Sequence, residues 1–254
     1  MTTKEVTSLR NPRVLAARKL LRRNERSRAG AFLVEGPIVV TEALAAGVVQ
    51  DLFVDANAPF AERFIRRDAV PVTGQVIASL TDTTTPQGVV AVARTRTAPL
   101  ADLTGDLIVV LSGVRDPGNA GTLVRSAVAA GASAVVFASG SVDPFNPKTV
   151  RSTAGLLFHV DIVTEVTMAE VAATLGGKGL TLVGADASSL VAPDAVDLTR
   201  PVALVLGNES WGIDVSARGL LDEVVGIPMP GAAESLNVGI AGSILLFEAS
   251  RQRR

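Results

Sequence analysis

Three polar, glycine-bearing runs, each following an apolar stretch, hold the residues best suited to chemistry in this chain. In LIVVLSGVRDPGNAGTLVRSAVAAGA an apolar strand enters a glycine-rich turn that opens a helix near Asn119. Free backbone N–H groups and the helix dipole make such a turn a cradle for an anion or a nucleotide. Its Gly118-x-x-Gly121 spacing is not that of a dinucleotide site, and no phosphate loop occurs, since Gly177-Lys178 is followed by Gly179. Arg125 projects about 240° around the helix axis from Asn119, nearly two turns in. The second run, VALVLGNESWGI, places Leu206 and Gly207-Asn208-Glu209-Ser210 at the carboxyl end of a strand, where open α/β sheets bind ligands. An ordinary strand-to-helix turn with Asn and Ser caps fits the same residues. In the third, VVGIPMPGAAESLNVGIAGSILLFEAS, two prolines and a glycine force an irregular loop. Ser235 or Asn237 then caps a helix so apolar, Val238 to Phe247, that it should be buried on nearly all sides. Taken singly, each loop is better explained by structure than by function.

Other chemistry is excluded by what the chain lacks. It has no cysteine and one histidine, His159, so disulfides, thiolate metal sites, cysteine nucleophiles and histidine-cluster metal sites are out. No metal is expected. His159 lies in GLLFHVDIV, read as a strand with a structural histidine. No apolar run reaches the roughly 18–20 residues of a membrane span, and MTTKEVTSLRNPR has no secretory apolar core. With the absence of cysteine, this fits a cytoplasmic protein. At 254 residues, 48% hydrophobic and with a mean hydropathy of +0.38, the chain can build a full core in one large or two ordinary domains.

The loops need strands and helices to hold them, and the sequence supplies two α/β alternations. The first has strands near 32–34, 50–54, 70–72 and 88–93, with helices at 37–46, 59–67 and 75–80. The second has longer units: strands at 107–111, 134–137, 159–163, 180–185, 203–206 and 224–227, and helices at 119–130, 148–155, 168–175 and 238–250. Near-continuous apolar strands alternating with helices indicate a parallel sheet covered on both faces. Between the alternations, RTRTAPLADLTG has no periodicity and reads as a linker. A helix is expected over 11–28, where charge is concentrated: residues 1–28 sum to +7 and the rest of the chain to −8. That asymmetry suits an arm that meets phosphates, or simply a solvated basic helix. The expected organisation is a basic arm over 1–28, a small α/β domain over 29–98, a linker over 99–106 and a larger α/β domain over 107–254.

Together the three runs form a family pattern. Asn119-x-Gly121-x-x-x-Arg125, Gly207-Asn208-Glu209, and Ile227-Pro228-Met229-Pro230-Gly231 with Glu234-Ser235-Leu236-Asn237 resemble the three motifs of the SpoU methyltransferases. These are the ribose-methylating branch of the SPOUT superfamily. Asp143-Pro144-Phe145-Asn146-Pro147-Lys148 and Arg151-Ser152-Thr153-Ala154-Gly155 look similar as well, and no named motif position departs from the pattern. More loosely, Phe32-Leu33-Val34-Glu35-Gly36, Glu42-Ala43-Leu44 and Thr84-x-x-Gln87-Gly88-Val89 resemble the ribosomal-protein-like RNA-binding domain of rRNA-directed members.

The resemblance implies a trefoil knot near Gly207–Ser210 and Ile227–Asn237, a homodimer, and S-adenosyl-L-methionine as cofactor. Leu206, Gly207, Ile227, Met229, Ser235 and Leu236 would hold it, the apolar ones sandwiching the adenine. The implied reaction is methylation of a ribose 2′-hydroxyl in RNA. Its candidates are Arg125, Glu209, Asn237, Ser235 and Asn119. Arginine stays protonated and resists acting as a base, so Arg125 is expected to hold a phosphate and polarise the hydroxyl, whose proton passes transiently to Arg125, to a substrate phosphate oxygen or to water. Arg10, Arg13, Arg18, Lys19, Arg22 and Arg23 are expected to meet RNA phosphates, and 23S rRNA is favoured over tRNA, with an antibiotic-resistance role open. The rivals are a tRNA 2′-O-methyltransferase, a catalytically silent ribosome-assembly factor and a small-molecule methyltransferase.

Overall fold

A computed structural model describes residues 5–254; Lys4 of the basic segment lies outside the described residues. The described residues divide into two compact units, 5–96 with 145–158, and 97–144 with 159–254.

The first unit runs α1 (Pro12–Lys19), α2 (Arg23–Ala29), β1 (Ala31–Glu35), α3 (Pro37–Ala45), β2 (Val49–Asp55), α4 (Ala61–Ile65), β3 (Val70–Val72), α5 (Gly74–Ser79) and β4 (Val89–Arg94). Its sheet has the order β1-β4-β2-β3, antiparallel except for the β2/β3 pair. The single helix expected over 11–28 is two. α1 ends at Lys19, and a turn buries Leu20. The buried Arg26 side chain of α2 then donates from Nη1 to the carbonyls of Leu20 and Leu21, both at 3.0 Å. Val14, Ala17 and Leu20 share one core with Phe53, Val70 and Val90. The basic segment is therefore built into this unit through its apolar face.

The second unit runs β5 (Leu107–Leu111), α6 (Pro117–Ala130) and β6 (Ala134–Ala138). The chain then passes through α7 (Pro147–Ser152) and continues with β7 (Asp161–Val166), α8 (Met168–Gly177), β8 (Thr181–Ala185), β9 (Val202–Leu206), α9 (Val215–Arg218), β10 (Glu223–Val225) and α10 (Val238–Gln252). Six strands in the order β10-β8-β9-β5-β6-β7 make an all-parallel sheet, as the apolar strands predict.

Four local expectations change. Residues 145–158, motif-like by sequence, pack with the first unit: Phe145 meets Phe32 with ring centroids 4.9 Å apart, and Arg151 bonds Glu35 and Asp82. β7 begins at Asp161, because a 3-10 turn over Leu156–His159 precedes it and leaves His159 exposed. Part of the linker is packed, with Leu100 and Leu103 buried in the second unit's core and Lys178 Nζ donating to the carbonyls of Ala101 and Leu103. Finally, α10 is not buried all round. Gly239, Gly242, Leu245, Leu246 and Ala249 are buried, while Ile240, Ile244 and Phe247 are 53%, 41% and 48% exposed. The inner face fits closely: a Cβ on Gly242 would come within 2.3 Å of Leu123 and 2.6 Å of Leu206.

Candidate active site

Because the sheet of the second unit is parallel, the loops leaving β5, β8, β9 and β10 all emerge at one edge, the carboxyl ends of the strands. The loop after β5 is fixed first. Ser112 N donates to Leu206 O at 2.8 Å, and Asp116 caps α6 by accepting from Asn119 N at 2.9 Å. The loop after β9 folds into a tight turn in which Asn208 and Gly212 exchange backbone hydrogen bonds of 2.8 and 3.0 Å. Asn208, itself buried, donates from Nδ2 to Gly113 O at 2.7 Å and accepts from Ser210 N. Position 207 requires glycine, since a Cβ there would sit 2.3 Å from backbone atoms of Gly212 and Ile213.

Glu209, Asn119 and Asn237 join the three motif loops. The Glu209 carboxylate accepts from Asp116 N at 3.0 Å, Arg115 N at 3.2 Å and Asn119 Nδ2 at 3.1 Å. Asn119 Oδ1 accepts from Asn237 Nδ2 at 2.9 Å, and Asn237 Oδ1 caps α10 by accepting from Gly239 N and Ile240 N. Partial burial pushes the Glu209 carboxyl up. The hydrogen bonds from Asp116, its own backbone, Asn119 and Arg115 outweigh this and hold it below the usual carboxylate range. A carboxylate so saturated with donors stays ionised and is a poor proton acceptor; its geometry is that of a clamp between loops.

Beside the clamp lies a cavity of about 500 Å³, a volume usual for a small-molecule cofactor. All six residues expected at a cofactor site, Leu206, Gly207, Ile227, Met229, Ser235 and Leu236, line it. So do Asp186, Ser188 and Trp211, which the sequence pattern did not assign to the site, and Glu234, which it placed in the third motif without a role. Asp186 and Ser188 carry no motif, and only their place after β8 points to them. Trp211 was legible as the chain's sole tryptophan, two residues after Glu209. Gly226 lets the β10 exit pass the Asp186–Ser189 loop, for a Cβ there would meet Ser189 O at 2.1 Å. Among the described residues no group of three or more acidic or histidine side chains could hold a metal ion.

Residues 106–247 match the model of the SpoU rRNA Methylase family. The chain belongs to that family. Residues 11–91 match an MRM3-like substrate binding domain. Across 96% of its length this SpoU chain is 32% identical to the 23S rRNA (guanosine(2553)-2′-O)-methyltransferase RlmP of Bacillus subtilis, covering 98% of that protein. It is also 34% identical to a 23S rRNA (uridine(2479)-2′-O)-methyltransferase of Streptomyces viridochromogenes, over 98% of this chain and 93% of that one. Among solved structures, the AdoMet-bound rRNA methyltransferase from Sinorhizobium meliloti superposes with a TM-score of 0.86 at 35% identity, covering 98% of this chain and 97% of the other. The SpoU methyltransferase AviRb from S. viridochromogenes, in complex with the cofactor AdoMet, gives 0.87 at 32%, covering 96% and 98%.

The remaining candidates of this SpoU chain are not among the residues that line the cavity. Arg125 is exposed on α6, does not line the cavity, and makes no hydrogen bond or ion pair among the described residues. Arg10, Arg13, Arg18, Lys19, Arg22 and Arg23 are all exposed in the first unit. Arg13 is engaged there: its Nε donates to Asp51 at 3.0 Å and its guanidinium lies 5.8 Å from the Phe53 ring centroid.

Proposed function

We propose that this protein transfers a methyl group from S-adenosylmethionine to a ribose 2′-hydroxyl of large-subunit ribosomal RNA, working as a cytoplasmic homodimer with a knotted cofactor domain. The observation that carries the reading is the Glu209–Asn119–Asn237 chain of hydrogen bonds, which ties all three motif loops beside one cavity. The residues present suit S-adenosylmethionine. Leu206, Ile227, Met229 and Leu236 offer apolar surface to an adenine, and the irregular backbone of 226–237 offers hydrogen-bonding groups to its edge. Asp186, Glu209 and Glu234 set negative charge around a cationic ligand. When bound, S-adenosylmethionine supplies a methyl group already activated by its positively charged sulfur.

The chain's own part is positioning, worth several kcal/mol when a nucleophile is held in line. Glu209, bound by three donors, keeps the β5 and β9 loops in register; Asn119 passes that order to Asn237 and the start of α10. Arg125, unpaired and exposed, is free to grip a phosphate with its planar fork and to polarise the neighbouring 2′-hydroxyl. Ser235, on the cavity wall, lies where it can orient ligand groups.

For the substrate, the full-length likeness favours rRNA. The rRNA enzymes named above match nearly the whole chain, whereas the tRNA-modifying TrmH/SpoU enzyme from A. aeolicus covers 61% of it with a TM-score of 0.51. The first unit, with its exposed cations, then supplies the hold on folded rRNA. Purified enzyme with tritiated S-adenosylmethionine, offered 23S rRNA and bulk tRNA separately, tests the proposal. Label is expected in 23S rRNA at a ribose that becomes resistant to alkaline cleavage. Label in tRNA alone would overturn the substrate; label in neither, nor in ribosomal particles, would overturn the activity.

A further inference from the structure

A large aromatic ring stands in the open at the mouth of the cavity. Trp211 lines the cavity and is 58% exposed, although burial is the usual fate of an indole in a well-packed core. The Arg115 guanidinium lies 5.0 Å from its ring centroid, a cation–π contact. Both residues are held by their backbones. Trp211 occupies the turn closed by the Asn208–Gly212 hydrogen bonds and pinned to Gly113 by the Asn208 side chain. Arg115 donates its N–H to Glu209. The pair therefore presents a flat, cationic surface beside the cavity, carried on backbone that is itself held in place.

Resting on the proposed activity, we infer that Trp211 and Arg115 form a stacking platform for an RNA base at or next to the methylated nucleotide. A ribose inside a helix is shielded by its neighbours, so an enzyme acting on it gains by holding an unstacked nucleotide. Proteins meet such bases with aromatic rings and arginine planes. Stacking tolerates any base, so the pair fixes the position of the nucleotide rather than its identity.

Trp211 is the only tryptophan and the chain has no tyrosine, so its fluorescence reports on this site without mutation. Adding a 23S rRNA transcript to enzyme already saturated with S-adenosylmethionine should quench it further. Trp211→Ala should raise KM for the transcript about 5- to 160-fold, the range that one base stack is worth. Any loss of S-adenosylmethionine affinity should be smaller than the rise in KM for the transcript, and Trp211→Phe should recover most of the loss. Arg115→Ala should weaken RNA binding in the same direction and reduce the quenching. The proposal is overturned if Trp211→Ala leaves KM for RNA unchanged, if its main effect is on cofactor affinity, or if it alters the sedimentation coefficient, which would make the ring a subunit contact. Quenching by RNA in an enzyme that methylates no RNA would instead overturn the activity and leave the platform standing.

Discussion

Asn237 Nδ2 donates to Asn119 Oδ1 at 2.9 Å across 118 residues of chain. Each side chain also serves its own surroundings, Asn237 capping α10 and Asn119 holding Glu209. One amide pair thus couples a helix cap to the carboxylate clamp. Asn119→Ala loses its bonds to both Asn237 and the Glu209 carboxylate and should cost about 1–3 kcal/mol, and Asn237→Ala about 1–2 kcal/mol, because the cap goes with it. Urea unfolding of both single variants and the double should reveal a coupling of about 0.5 kcal/mol or more. Simple additivity would mean the bond contributes nothing.

Glu209 makes the clamp pH-dependent. Its folded carboxyl lies below the ordinary glutamate value of 4.5, so the ionised form is favoured in the folded state. That contribution is fully present above the unfolded value and is lost as pH falls through the lower folded one. Glu209→Gln places an NH2 where one carboxylate oxygen now accepts. Wild type should therefore be the more stable from neutral pH down to about 5, with the gap closing below 4.5. Unfolding midpoints across that range give the answer; a gap that does not change with pH would show that the carboxylate charge is irrelevant.

Much of this architecture was legible because it follows from strong local rules. The apolar strands Leu107–Leu111 and Val202–Leu206 and most of the helix after the glycine-rich turn announce themselves through pattern, while the Asp116 cap that starts the helix at Pro117 was not read. Six residues of the cavity wall, Leu206, Gly207, Ile227, Met229, Ser235 and Leu236, were legible as motif. What escaped depends on long-range packing. Nothing local tells residues 145–158 to pack against Phe32 and Glu35, or tells Arg26 to break a helix by binding the carbonyls of Leu20 and Leu21. The Asp186–Ser189 loop joins the cavity only because β8 and β10 are neighbours in the sheet, a pairing invisible in chain order.

The apolar outer face of α10 bears on the proposed homodimer. Ile240, Ile244 and Phe247 recur at helical spacing and stay about half exposed in the single chain, a patch of the kind that marks an interface. Sedimentation at micromolar concentration should give about twice the 26.2 kDa chain mass. Phe247→Glu should shift it to the monomer while far-ultraviolet circular dichroism stays intact. A wild-type monomer that still methylates RNA would remove the dimer from the mechanism.

Arg125→Ala should abolish methyl transfer and leave cofactor affinity within a few-fold, since its side chain lies outside the cavity. Arg125→Lys should recover little, because a point charge cannot replace a planar fork on phosphate. Calorimetry with S-adenosylmethionine separates the outcomes. If cofactor binding vanishes together with turnover, Arg125 is holding the pocket rather than the RNA.

The basic segment calls for substitution rather than deletion. Removing it would take Val14, Ala17 and Leu20 out of the first unit's core, and any drop in RNA binding would then report unfolding. Arg18, Lys19, Arg22 and Arg23 are exposed, so replacing all four with Gln removes charge and spares the core. RNA affinity should fall, and the slope of its logarithm against the logarithm of salt should shrink by about 0.7–0.9 for each phosphate no longer neutralised. The methylated nucleotide should stay the same, because binding to phosphates carries no sequence information. Arg13 makes the control: bound to Asp51 and set against Phe53, it should cost stability on replacement more than RNA affinity. An unchanged salt slope in the fourfold variant, with the fold intact, would show that the RNA is held elsewhere on the first unit.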